Sequence, residues 1–397
     1  MKLAYVTALF PFAYSEQFFE EEVRSLSRTI EVVVVPARPR TTESVYADVG
    51  GALRLPVLSA RVLGLAAREA ARAPLRALGT LAHLLFARDA SLRSRLVNLV
   101  LFPKALAVAR ELRRAGVDHV HGAWFTTPAT IAWVVWRMTG IPFSSTAHQH
   151  DVFARNLVET KTREGRFVRV ISARNADHLR DQLPAGLRER VVVGHLGVAL
   201  PEAAPVPEPR AVPKILCAAR MCLWKGHRYL LGALALLRDR GIAFSCDLAG
   251  DGEIRAEVVA DVARLKLGDR VRMLGNVPHA TLVAQVNAGA YDLLALASTE
   301  RTFGEHEGIP VAVMEAMAAA LPVVVTRTGS LPELVEPEFG AIVEQQDPEA
   351  LAAALEPLLR DREARIAAGR LGRERIRAEF ETGASARALL GWITAAR

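Results

Sequence analysis

Cysteine is scarce in this chain: there are three, Cys217, Cys222 and Cys246, in 397 residues. They are too few and too clustered for a disulfide framework. Cys217 and Cys222 flank an apolar stretch with no second cysteine pair or histidine set beside it, which argues against zinc. The expectation is three reduced thiols in or near a core, in a cytoplasmic protein. Long uncharged apolar runs are missing too, and nothing approaches the roughly 18 residues that a membrane span needs. The opening stretch Met1 to Pro11 is apolar but short, ends in proline and precedes no small-residue cleavage site, so no secretory leader is expected there. Internal repeats are likewise absent.

What the chain does have is apolar mass and positive charge. Hydrophobic residues make up 51% and charged residues 23%, as in a soluble globular protein, and the length suits two domains. The net charge is +7 and the isoelectric point near 9.6. That balance favours anionic partners (nucleic acid, anionic lipid headgroups or phosphorylated small molecules) without choosing among them. Basic residues interleaved with aromatics, or a zinc pattern, would support nucleic acid. Neither is present, so nucleic acid is not expected as a partner.

Short β-branched segments alternate with helical patterns. Lys2 to Leu9, Ile30 to Val35, Val117 to His121, Phe143 to Ala147, Val168 to Ser172 and Val191 to Val193 read as strands. Ser15 to Leu26 and Pro128 to Thr139 read as helices. Residues 198–213 then change character, because the prolines from Pro201 to Pro213 forbid a helix or central strand. After them the alternation restarts with strands at Lys214 to Ala219, Ala243 to Ala249, Val271 to Leu274, Leu293 to Ala297 and Pro322 to Thr326. The expected fold class is α/β: two Rossmann-like, doubly wound domains facing across a cleft. The expected divisions are 1–197, a linker at 198–213, a second domain at 214–375, and a C-terminal helix at 376–397 returning to the first domain.

Residues 52–115 are helical in pattern and strongly basic, carrying Arg54, Arg61, Arg68, Arg72, Arg76, Arg88, Arg93, Arg95, Lys104, Arg110, Arg113 and Arg114. Only Glu69, Asp89 and Glu111 oppose them. Leucine and alanine fill the gaps. Two readings stand: a face such as Leu81 to Phe86 lies on an anionic bilayer, or the segment is a solvated helix layer covering a sheet.

Two motifs in the second half carry chemistry. In Glu307-Gly-Ile-Pro-Val-Ala-Val-Met-Glu315 a loop enters a helix, with Pro310 suited to its first turn. The free N–H groups around Gly308, Ile309 and Val311 would hold an anion without a side chain. Glu315 stands among Val, Met and Ala, where a carboxylate needs a partner. The other motif, Arg220-Met-Cys-Leu-Trp-Lys225-Gly226-His227, directly follows a strand. Arginine offers a forked donor to phosphate oxygens, lysine a compact charge.

Order and spacing over roughly 214–345 resemble the family 4 glycosyltransferases, which have the two-domain GT-B architecture. The residues that carry the resemblance are Arg220 to Gly226, Leu248-Ala-Gly-Asp-Gly252, Val271 to Val277, Glu307 to Glu315 and Gly329-Ser-Leu-Pro-Glu333. Weaker marks are Phe10 to Phe19, His119 to Trp124, Ser145 to Phe153 and Glu305 to Pro310. These point towards the bacterial enzymes that assemble exopolysaccharides of the colanic acid and amylovoran kind. Arg220-Met-Cys replaces the family's usual Gly-Arg-Leu, and His195-Leu-Gly-Val198 its usual Asn-Gly-Val.

The resemblance implies a retaining sugar transfer from a nucleotide-diphosphate sugar to a hydroxyl, with no metal or other cofactor. No Asp-x-Asp occurs in the chain, in keeping with that. Arg220 and Lys225 would hold the diphosphate and neutralise the leaving group. Glu307 would face the donor sugar, Gly308, Ile309, Pro310 and Val311 would line the site, and Glu315 would bind ribose. His148 would stand beside the reacting carbon, with Ser15, Glu16, His121, His150 and Asp151 on the acceptor side. No carboxylate pair suits a double displacement, which favours front-face substitution with the leaving phosphate taking the acceptor's proton. The implied acceptor is a saccharide or lipid-linked saccharide at the inner membrane face, with a soluble small molecule as the alternative. A sugar-nucleotide epimerase is the competing reaction.

Overall fold

The computed structural model describes residues 1–13, 16, 18–46, 51–205, 209–301 and 306–395. The chain forms two compact units, Met1–Gly197 with Thr382–Arg397, and Val198–Glu381. Each is a doubly wound α/β unit on its own parallel sheet.

The first sheet contains β1 (Lys2–Thr7), β2 (Glu31–Pro36), β3 (Gly51–Ala52), β4 (His119–Gly122), β5 (Phe143–Ala147), β6 (Val168–Val170) and β7 (Val191–Val193). Their order is β3-β2-β1-β4-β5-β6-β7, and every pairing is parallel. A sheet covered on both faces tolerates apolar residues at successive positions, and the run Val32 to Val35 fits that. Alternation sends Ala4 and Val6 into a core with the helices Ala60–Arg72, Leu92–Arg114 and Thr127–Thr139. Leu3 and Tyr5 point the other way, onto the helices Phe18–Ser27 and Thr382–Ala395.

The second sheet contains β8 (Lys214–Ala218), β9 (Ser245–Ala249), β10 (Val271–Gly275), β11 (Leu293–Leu296), β12 (Val323–Thr326) and β13 (Gly340–Val343). Its order is β10-β9-β8-β11-β12-β13, again all parallel. Ile215, Cys217, Cys246 and Leu248 face the helices His227–Asp239 and Arg255–Arg264. Leu216, Leu294 and Leu296 face the helices Val311–Ala318 and Arg362–Glu379 on the opposite side. The winding therefore reverses between β8 and β11. Loops leaving the C-terminal ends of these neighbours diverge to opposite faces and leave a crevice, where open α/β sheets bind ligands.

Some boundaries differ from the sequence reading. The first helix begins at Phe18 rather than Ser15, because the Glu16 carboxylate is taken up by the β1 loop: it accepts from the Leu9 and Phe10 amides, both at 2.7 Å. Pro310 caps the helix from outside with an extended ψ of 124°, and the helix starts at Val311. Residues 376–381 stay with the second unit, where Ile376 and Phe380 enter the core. The helix that packs on the first unit is Thr382–Ala395, through Ala386, Leu389 and Ile393.

The basic segment folds as three helices, Ala60–Arg72, Pro74–Phe86 and Leu92–Arg114. Ser59 caps the first through the Val62 amide, Pro74 opens the second, and Ser91 caps the third through the Ser94 amide. The inner residues Val62, Leu65, Ala77, Leu84 and Leu106 join the core beneath. The run Leu81 to Phe86 is split: Leu84 is buried, whereas Leu85 and Phe86 are exposed.

Candidate active site

The loop after β8 carries Arg220 and Lys225. Lys225 lies in a short 3-10 turn, Leu223–Lys225, that ends at Gly226 with φ +66°. A Cβ on Gly226 would stand 1.8 Å from the Ala297 carbonyl oxygen, so only glycine lets this loop press against the end of β11. The approach is held by the Thr299 amide donating to the Trp224 carbonyl at 2.7 Å. Lys225 Nζ reaches Glu307 Oε1 at 2.6 Å and lies 4.4 Å from the centre of the Trp224 ring. Ser298 Oγ, just beyond β11, donates to the same Glu307 oxygen at 2.5 Å. Lys225, Ser298 and Glu307 thus form one largely buried cluster where the winding reverses.

A further loop closes on Glu307. The Ser330 amide donates to its carbonyl oxygen at 3.3 Å, and His306 Nδ1 donates to it at 2.9 Å. A Cβ at Gly329, whose φ is +55°, would fall 1.7 Å from that carbonyl. Glu305, in the same predicted motif, lies outside the described residues. Gly308, Ile309, Pro310 and Val311 lead from Glu307 into the helix Val311–Ala318. Helical geometry leaves its first amides without intrahelical acceptors. One and a half turns on, Glu315 finds the partner its apolar setting requires: His279 Nε2 stands 2.6 Å from its Oε1. His279 opens the helix that follows β10.

Arg220 is exposed and pairs with Glu253 at 3.1 Å, beside the loop after β9. The structure therefore joins Lys225 directly to Glu307, while Arg220 and Glu315 hold other partners on loops of the same sheet. His227, next after Gly226, is buried. Among the described residues its Nδ1 has no hydrogen-bond partner, and burial, with Lys225 nearby, pushes its pKa down to about 4.

In the first unit, His148 precedes the short helix Gln149–Val152. It is buried, stacks 4.2 Å from Trp124 between ring centres, and donates from Nε2 to the Ala123 carbonyl at 3.0 Å. Burial, with Arg169 adding repulsion, pushes its pKa down to about 3, so the ring is neutral near pH 7. Asp151 is also buried and accepts from the His148 amide at 3.0 Å and the Thr126 amide at 3.1 Å; burial raises its pKa. His150 is exposed. Glu16 is spent on structure, since beyond the two loop amides its Oε1 accepts from Trp124 Nε1 at 2.6 Å. Ser15 lies outside the described residues.

His121 is fully buried, with both ring nitrogens engaged by Ser144 and Thr146 at 2.8 Å, so its place is the sheet interior and not an acceptor-facing wall. It belongs to a network that sequence reading missed: Arg169 Nε donates to Thr146, both terminal nitrogens of Arg169 grip Glu22, and Glu22 accepts from Tyr5. The available signal was Arg169 inside the apolar strand Val168–Val170, since a buried charge needs a partner. Ser298 and His279 were missed as well, and no sequence pattern marks them; Trp224 lies within the Arg220 to His227 motif but was given no role there. The three cysteines are buried, and burial pushes the Cys217 thiol up to about 12.

The chain is similar to known proteins in sequence and in fold. Residues 202–375 match the family model of glycosyl transferases group 1. A protein named for colanic acid biosynthesis as a glycosyltransferase in Escherichia coli (strain K12) is 34% identical over 171 residues, covering 42% of each chain. The amylovoran biosynthesis glycosyltransferase of Erwinia amylovora is 34% identical over 143 residues, covering 36% of this chain and 35% of that protein. The matched region is thus less than half the length of these relatives. Among solved structures, the Anabaena protein HepE in complex with UDP and glucose superposes with a TM-score of 0.72 at 15% identity, covering 99% of both chains. At that identity the likeness is one of fold, and the fold is GT-B.

Proposed function

We propose that this chain, which carries a group 1 glycosyltransferase domain over residues 202–375, transfers a sugar from a nucleotide-diphosphate sugar to a hydroxyl with retention of configuration. The observation that carries the reading is the Lys225–Glu307–Ser298 cluster in the crevice between β8 and β11. A parallel sheet offers its ligand that position, and a diphosphate needs a cation there.

In this reading Lys225 and the exposed Arg220 take the diphosphate, Lys225 exchanging part of its bond with Glu307 for phosphate oxygens. As the anomeric C–O bond breaks, the departing nucleoside diphosphate gains charge, which the two cations stabilise where it develops. They do the work a divalent ion would otherwise do, so the reaction proceeds without metal. Glu307, held by Lys225 and Ser298, orients donor-sugar hydroxyls instead of attacking carbon. The acceptor hydroxyl approaches from the face the leaving group vacates and gives its proton to the departing phosphate. Gly308, Ile309 and Val311 supply amide donors, and Glu315 exchanges His279 for ribose hydroxyls. His148, neutral with its Nε2–H committed to the Ala123 carbonyl, takes no part in proton transfer. The proposed acceptor is a lipid-linked saccharide in exopolysaccharide assembly, a reading supported by the likeness to the colanic acid and amylovoran relatives.

The test is product analysis with UDP-, GDP-, ADP- and TDP-sugars and a lipid-linked saccharide acceptor. One donor should give a new glycoside whose anomeric configuration, read by NMR, equals the donor's, at a rate unaffected by EDTA. An inverted product would remove the front-face route. Loss of activity in EDTA, restored by Mg²⁺ or Mn²⁺, would remove the metal-free reading. Interconversion of donor sugars without an acceptor would make the chain an epimerase.

A further inference from the structure

The three helices of the basic segment carry an outward face left exposed among the described residues. Of the thirteen large hydrophobic side chains exposed among the described residues, nine fall between Leu58 and Val100. On the helix Pro74–Phe86, Leu75, Leu78, Ala82, Leu85 and Phe86 recur at helical spacing on the exposed side, opposite the buried Ala77, Thr80 and Leu84. Leu75 is 84% exposed, Phe86 75% and Leu92 72%, values of side chains standing clear of the surface. Leu92, Leu96 and Val100 continue the pattern every fourth residue on the next helix.

The charge on this face has one sign. Arg61, Arg68, Arg72, Arg76, Arg88 and Arg93 are exposed between residues 58 and 100. The segment's two carboxylates are turned to other uses: Glu69 is buried and gripped by Arg113, and Asp89 accepts from the Thr160 amide at 2.9 Å. Nearby Glu159 is paired with Arg163. Exposed leucine and phenylalanine among arginines, with no exposed acid, suit an interface that is apolar within and anionic at its rim. A second copy of the chain is a poorer occupant, because a two-fold contact through this patch would set arginine against arginine. Among the described residues no helix is long and apolar enough to cross a bilayer, and the amphipathic pattern suits lying on the surface.

We propose that the helices Ala60–Arg72 and Pro74–Phe86 and the start of Leu92–Arg114 dock reversibly on an anionic membrane surface. Leu75, Leu78, Phe86 and Leu92 enter the headgroup boundary and the arginines meet lipid phosphates. This inference stands on the surface alone and does not depend on sugar transfer.

Flotation of the full chain with phosphatidylcholine vesicles, with and without phosphatidylglycerol, tests it. Wild-type protein should float with the anionic vesicles at low salt, be released by high salt, and stay behind with pure phosphatidylcholine. Two variant sets separate the contributions: Leu75→Ser with Leu78→Ser and Phe86→Ser, and Arg76→Gln with Arg88→Gln and Arg93→Gln. Each should lower partitioning about tenfold or more, with the thermal melt and turnover of soluble donor unchanged. Failure of the wild type to float with anionic vesicles at low salt would overturn the proposal, as would flotation of both variant sets at the wild-type level. A dimer that the leucine variants dissociate, in protein that ignores vesicles, would assign the patch to self-association instead. Loss of donor turnover in otherwise vesicle-binding protein would strike the sugar-transfer reading and leave this one intact.

Discussion

Lys225 is held between Glu307 and the Trp224 ring, so its charge is in place before any diphosphate arrives. Lys225→Ala should therefore lower kcat by roughly 100-fold or more while raising the donor KM much less, because the leaving group's charge grows in the transition state. Steady-state kinetics over a donor series checks this, and equal loss in kcat and in ground-state affinity would refute the role. Glu315 acts earlier, on the ribose. Glu315→Ala should raise donor KM about tenfold, on the scale of one to two lost charge-assisted hydrogen bonds, with little change in kcat. An unchanged KM would remove it from the site. The sequence made Glu315 conspicuous, because a carboxylate among Val, Met and Ala demands a partner. It could not name His279, which lies 36 residues earlier and meets Glu315 only through the folding of another loop.

Strands were legible because their chemistry is local: β-branched runs such as Ile-Glu-Val-Val-Val-Val at 30–35 leave few alternatives. The joining of loops was not local. Lys225 and Glu307 are 82 residues apart, and they meet because β8 and β11 are neighbours in the sheet, an order that periodicity does not encode. Two glycines record that meeting in the chain. At Gly329 an added Cβ would collide with the Glu307 carbonyl, and the left-handed φ alone costs other residues about 1–2 kcal/mol. Gly329→Ala should lower both the melting temperature and donor turnover, the latter at least about tenfold, since it displaces the backbone that aims Glu307. Gly64→Ala serves as the control. Gly64 lies in the helix Ala60–Arg72 with nothing within 4 Å of the added carbon, so stability should hold or rise by about 0.5–1 kcal/mol. Wild-type turnover in the Gly329 variant would show that this close approach does not serve the site.

Across the molecule, burial of neutral histidines couples stability to pH. His148 and His227 titrate near 3 and 4 in the folded chain, and His121 well below its ordinary value, each chiefly because burial disfavours the charged ring. Unfolded, all three would titrate near 6.5. Below that pH the unfolded chain binds protons that the folded chain refuses, so stability falls as pH drops from about 6.5 towards 4. The melting temperature should decline between pH 7 and pH 5, and His148→Asn with His227→Asn should flatten the decline. A flat wild-type profile would contradict the burial. The division into two α/β units was readable from the restart of alternation after the prolines, whereas the return of the helix Thr382–Ala395 to the first unit depends on packing against Phe19 and Val23. The central claim, that the loops after β8 and β11 form a metal-free diphosphate site, is tested most directly by calorimetric titration of UDP, GDP, ADP and TDP in EDTA. One of the four should bind wild-type protein saturably and Lys225→Ala more weakly. Equal binding by both proteins, or no binding of any of the four to the wild type, would contradict it.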